Sequence, residues 1–172
     1  MVCLLLVICA VTPSAWAMSF SAHLHSNEGD MGKMYLDGSK MRMETQDGIM
    51  IMRRDKMVMW VLMPEDKVYM EQPLNQAVGP KHLPDNDIDS GERVFIAKET
   101  INGYAADKYK VTIKGDSHYE WISNDPGIPM PVRTAALDDS WWNEYREIST
   151  AVPDAGVFEI PAGYSKMSVP GM

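Results

Sequence analysis

The sequence predicts a mainly β domain: one curved antiparallel sheet of about eleven strands with very little helix. Three observations carry that prediction. Asp37-Gly38, Asp47-Gly48 and Asn102-Gly103 punctuate short apolar or alternating runs, and such pairs tolerate the positive φ angles of tight hairpin turns. Between these marks apolar and polar residues alternate with period two, as in a half-buried strand. One run, Met57–Met63, is apolar on both faces, with Met57, Met59, Val61 and Met63 against Val58, Trp60 and Leu62. Both faces must then be covered, which suits a curved sheet with an apolar interior and a partly capped outer side.

Taken in order, the first 17 residues carry no charge, hold an apolar run from Leu4 to Val11, and end in Ala15-Trp16-Ala17. That small-x-small ending predicts a secretory signal peptide cut before Met18. The run falls short of the roughly 20 residues a spanning helix needs. Both cysteines, Cys3 and Cys9, lie in this segment, so the exported chain is expected to have no thiol and no disulfide. Residues 18–172 suffice for a single domain with its own core. The formal net charge of −8 argues against a nucleic-acid partner. The periplasm is the expected location, and a monomer the expected state.

Ser19–His25 alternates Phe20, Ala22 and Leu24 against Ser21, His23 and His25, and reads as the first strand. Met31–Leu36, Lys40–Gln46, Ile49–Arg53, Met57–Met63 and Val68–Gln72 follow. Pro73 to Val78 fits one short helix with Pro73 in its first turn. Asp85, Asp87 and Asp89 resemble the opening of a calcium loop, but Ser90 and Ile96 stand where that pattern wants Gly and Glu. The stretch therefore reads as a solvated acidic loop. Glu92–Ile101, Lys108–Lys114, His118–Ser123, Pro131–Leu137 and Trp141–Ile148 continue the strands, the last with a short helix as its alternative. Phe158 to Tyr164 closes the domain.

No catalytic constellation is present: there is no Gly-x-Ser-x-Gly elbow, no His-Glu-x-x-His and no phosphate loop. No motif calls for a cofactor, and an enzyme is not expected. The pair His23 and His25 reads as exposed strand residues. The methionines stand out, 15 in all. Met41/Met43, Met50/Met52 and Met57/Met59 are Met-x-Met pairs, each on a single strand face. Thioethers pack irregular apolar surfaces and bind promiscuously, and they are also soft ligands that suit Cu(I). Core packing, lining of an apolar ligand cavity and copper binding are the three readings. Arg42, Arg53 and Arg54 read as a solvated strand face.

Two stretches carry a resemblance. Arg42-Met43-Glu44 and then Arg54 to Tyr69, with Trp60 in its apolar strand, resemble the core of the periplasmic lipoprotein carrier (LolA-like) superfamily. Phe158, Ile160, Pro161 and Gly163 are similar to its closing Phe-x-x-x-Pro-x-Gly, one residue shorter. The resemblance implies a half-open antiparallel barrel of eleven strands with an apolar interior. It also implies that Arg42, near the barrel mouth, hydrogen-bonds covering segments or a ligand headgroup. Lys56 replaces the family's Gly, no helix precedes the first strand, and no long lid helix is legible. The chain thus resembles an exported branch of this superfamily rather than the carrier itself.

The expected function is non-enzymatic binding of an apolar ligand, a lipid or a lipidated protein, in a concave interior. The candidate ligand-binding residues are Arg42, Met50, Met52, Met59, Trp60 and Leu62. An envelope sensor or protein-interaction module of the same fold is the alternative, and a Met-rich Cu(I)-binding protein is a further one.

Overall fold

The computed structural model describes residues 18–74, 91–128 and 130–167. Twelve strands run in chain order: β1 (Ser19–Ser26), β2 (Gly29–Asp37), β3 (Lys40–Thr45), β4 (Gly48–Arg53), β5 (Val58–Met63), β6 (Val68–Pro73), β7 (Glu92–Ile101), β8 (Tyr104–Ile113), β9 (Asp116–Ser123), β10 (Pro131–Ala136), β11 (Trp142–Ser149) and β12 (Ser165–Lys166). They form one sheet in the order β12-β6-β5-β4-β3-β2-β1-β11-β10-β9-β8-β7. Among the described residues its two ends do not pair with each other, so the fold is a half-open β-barrel, as expected. The one strand beyond the expected eleven is β12, two residues that join β6 in parallel. Among the described residues two 3₁₀ turns, Arg54–Lys56 and Ala155–Phe158, interrupt the strands.

The hairpins follow from turn chemistry. Asn102 and Gly103 both take positive φ (49° and 90°), the geometry whose twist matches a two-residue hairpin. The β8–β9 turn uses Lys114 and Gly115 (φ 52° and 95°). The stretch read as strand or helix near Trp141–Ile148 is a strand. Its Trp142 and Glu144 pair with Ala135 and Arg133 of β10, and Tyr145 pairs with Leu24 of β1. Neighbours on both sides thus satisfy its backbone, which outweighs any local helical preference.

Register sorts the side chains of the first half into two faces. Phe20, Leu36, Met41, Met52 and Met59 form one cross-strand row, and Ala22, Met34, Met43, Met50 and Val61 the next row on that face. Tyr35, Arg42, Ile51, Trp60 and Glu71 form a row on the opposite face. Met130, just before β10, lines the same cavity as Met41 and Met52. Since β10 lies five places from β4 in the sheet order, the sheet bends round its methionine face. The main core lies there. A second core of Ile51, Trp60 and Leu62 lies on the other side, against Ile160 and Tyr164.

Among the described residues no helix is long and apolar enough to cross a membrane. The expected signal peptide with Cys3 and Cys9 and the expected Asp85–Asp89 loop lie outside the described residues, as does the short helix expected from Pro73 to Val78 apart from its first two residues, of which Pro73 ends strand β6.

Candidate functional site

The methionine face is a direct product of strand periodicity. A Met-x-Met pair places both thioethers on one side of its strand, and antiparallel register then sets Met41 opposite Met52 and Met43 opposite Met50. Phe20 and Met52 are fully buried there, whereas Met43, Met50 and Met59 are half-buried. At the end of the sheet where β1 begins, this face opens into a cavity of about 110 Å³. Met18, Phe20, Met34, Leu36, Met41, Met52 and Met130 supply its apolar wall, and Ser39, Lys40 and Arg54 supply polar lining. Pockets for whole small-molecule ligands run to roughly 300–1,000 Å³. The cavity as it stands has room for the end of an apolar chain, not for a complete amphiphile. Its lining is nevertheless deformable, because methionine is unbranched with three rotatable bonds.

The opposite face is closed. The segment after β11 crosses it and sets Phe158 into the sheet with no exposed surface. Two arginines hold that segment. Arg42 Nη1 donates to the Val157 carbonyl (2.9 Å), and Arg53 Nη1 donates to the Phe158 carbonyl (3.3 Å). Arg42 Nε also bonds Glu44 (2.6 Å). Arg53 forks onto Asp55 through Nε (2.9 Å) and Nη2 (2.6 Å), and pairs with Glu159 as well. These bonds to Asp55 push the Arg53 guanidinium pKa up and hold the Asp55 carboxyl down at about 2. For Glu159 burial acts upward, yet the bonds from Arg53 and Lys56 win and its pKa falls. Trp60 Nε1 donates to Glu71 (3.0 Å), which Lys166 of β12 also grips (2.6 Å).

The candidate residues therefore divide. Met52 lines the cavity, and Met50 and Met59 share its face. Arg42, Trp60 and Leu62 stand on the opposite face under the C-terminal segment, so the six do not form one site. Arg42 is buried rather than solvated, because the covering segment comes from more than a hundred residues away. Phe20, Leu36 and Met34 were reachable from the sequence, since they continue the rows of Met41 and Met43. Met130 was not, because it reaches the cavity from a loop with no periodic pattern.

This architecture defines a class, the half-open β-barrels of LolA-like type. A crystal structure of an uncharacterized conserved protein from Thermus thermophilus is similar with a TM-score of 0.59 at 10% identity, over 88% of this chain and 91% of that one. MucB in complex with MucA(peri) is similar at 0.51 and 12% identity, over 88% and 57%. The Pseudomonas aeruginosa MucA/MucB complex is similar at 0.53 and 13%, over 88% and 58%. The chain thus spans little more than half of MucB, and at these identities the likeness is one of fold. Residues 17–129 match DUF4412, a domain of unknown function, and the chain belongs to that family. The resemblance to lipoprotein carriers holds as a resemblance of fold. Among curated proteins the sequence finds no match.

Proposed function

We propose that this is a non-enzymatic periplasmic binding protein whose methionine face shelters an apolar chain, that of a lipid or a lipidated protein. One observation carries the reading: half-buried methionines continue from a small apolar cavity along β3, β4 and β5 without a polar interruption on that face. Rotation of those side chains enlarges the cavity at small cost, since thioether chains repack readily. Lys40, which pairs with Asp37 (3.0 Å), and Arg54 line the cavity beside these apolar residues. The test is mass spectrometry of what organic solvent extracts from the purified protein, followed by titration with a fluorescent fatty acid. A bound amphiphile, or saturable probe binding that Met41→Gln/Met52→Gln abolishes, is expected. An empty extract with no probe binding overturns the reading.

A second reading is a protein-interaction module. Its support is the fold shared with MucB, seen in complex with MucA(peri), and the half-exposed Val94, Phe95 and Ile96 on β7, an edge strand among the described residues. An unpaired edge strand is a template for strand addition. A stable envelope-protein complex broken by Phe95→Lys, with no extractable lipid, would favour it.

A further inference from the structure

We infer that His23, His25 and Asp30 form a binding site for a divalent transition-metal ion of the zinc class, with Glu147 in reach as a fourth ligand. The site lies on the face opposite the methionines and is independent of the proposed apolar ligand. One ligand atom from each of the three residues falls within 4.8 Å of the other two. Ligand atoms that share one tetrahedral zinc at about 2.0–2.2 Å lie about 3.3–3.6 Å apart, so side-chain rotations that move each atom by on the order of 1 Å complete the set. Imidazole nitrogen and carboxylate oxygen are the donors such borderline ions take, whereas thioethers suit Cu(I).

Three features of the chain build this cluster. His23 and His25 stand two apart on β1, so both rings leave the same face, and they stack with centroids 6.5 Å apart. The β1–β2 register shifts between Leu24 and His25, which brings Asp30 opposite His25. Gly32 makes that shift possible. Its φ is +113°, and a Cβ there would lie 1.8 Å from the Glu44 carbonyl oxygen. The Gly32 N–H donates to Asp30 Oδ1 at 2.8 Å, which orients the carboxylate, the support that metal ligands commonly receive.

The fourth group comes from β11. Glu147 takes φ +51° where the β1–β11 register shifts, a left-handed conformation that non-glycine residues adopt at a cost. That bulge turns its carboxylate to 3.8 Å from His23 Nε2. The cations nearby are engaged elsewhere. Arg146, opposite His23, bonds Glu144 (2.8 Å), and Lys33 lies over the Tyr35 ring. An ion held by β1, β2 and β11 would clamp the seam where the first six strands meet the rest of the sheet.

The experiment is titration of the purified, chelator-stripped protein with Co²⁺ as a spectroscopic probe, followed by displacement with Zn²⁺. One equivalent of Co²⁺ with visible d–d absorption, displaced by Zn²⁺, is expected, together with a higher melting temperature in Zn²⁺. His25→Gln and His23→Gln should each weaken binding about a hundredfold, at least the loss seen when supporting residues of metal sites are removed. Melting in chelator checks that these variants fold, and Asp30→Asn, an isosteric change at an exposed residue, should also weaken binding. Absence of saturable Co²⁺ and Zn²⁺ binding overturns the inference. So does binding that survives intact in the folded His23→Gln/His25→Gln double variant.

Discussion

The two faces of β3, β4 and β5 are made by alternate residues of the same three stretches, yet they are covered in opposite ways. On one, a single distant segment is fastened by Arg42 and Arg53 and wedged by Phe158. On the other, methionines meet across a curved sheet and leave a cavity of about 110 Å³. The difference is one of specification. Directional bonds from guanidinium groups select a single arrangement, whereas thioethers fill space without selecting one. Under the proposed function, one face holds the barrel's shape while the other adapts to an apolar guest.

The largest expected effect comes from unfastening the closed face. Phe158 is fully buried, so Phe158→Ala should destabilise the protein by about 3–5 kcal/mol in urea denaturation. A loss below about 1 kcal/mol would mean that the segment is decoration and that the contrast between the faces is wrong.

A smaller effect is expected from the methionine face. Met41→Leu and Met52→Leu conserve volume in a deformable layer and should each cost less than about 1.5 kcal/mol. Branched leucines repack less freely, so the double variant should bind a fatty-acid probe more weakly at nearly unchanged melting temperature. A large loss of stability would instead reveal a tightly specified core on that side.

The smallest effect is one of pH. Asp55 has a pKa of about 2 in the fold, below its ordinary value near 3.8. A depressed carboxyl contributes stability that is present above the ordinary value and lost as pH falls through the folded one. The closed face should therefore weaken between about pH 4 and pH 2. Asp55 is about a third exposed, so screening by solvent keeps the effect under about 1 kcal/mol. Stability measured across that window in the protein and in Asp55→Asn should converge at the acid end. Curves that stay parallel throughout would remove Asp55 from the fastening.

What the sequence determined by itself was everything that depends on neighbours along the chain. Turn signals and period-two alternation suffice for the strands and their hairpin order, although only the turn at 102–103 falls on its expected pair; the β2–β3 and β3–β4 turns lie at 38–39 and 46–47. Met41/Met43 and Met50/Met52 share strand faces as expected, whereas Met57 leaves its strand for an exposed turn at φ 52° before β5. The double apolar pattern of Met57–Met63 was enough to demand two covers. Tertiary structure alone decided which cover went where. Trp60 and Leu62 went under Ile160 and Tyr164, on the segment whose carbonyls Arg42 and Arg53 grip more than a hundred residues downstream. Met52 went to the cavity because Met130 arrives from the far side of the bent sheet. The histidine cluster was half legible: the spacing of His23 and His25 put two rings on one face. Asp30 and Glu147 joined them only through register shifts at two bulges, and no local pattern encodes such a shift, because it is settled by the pairing of one strand against another.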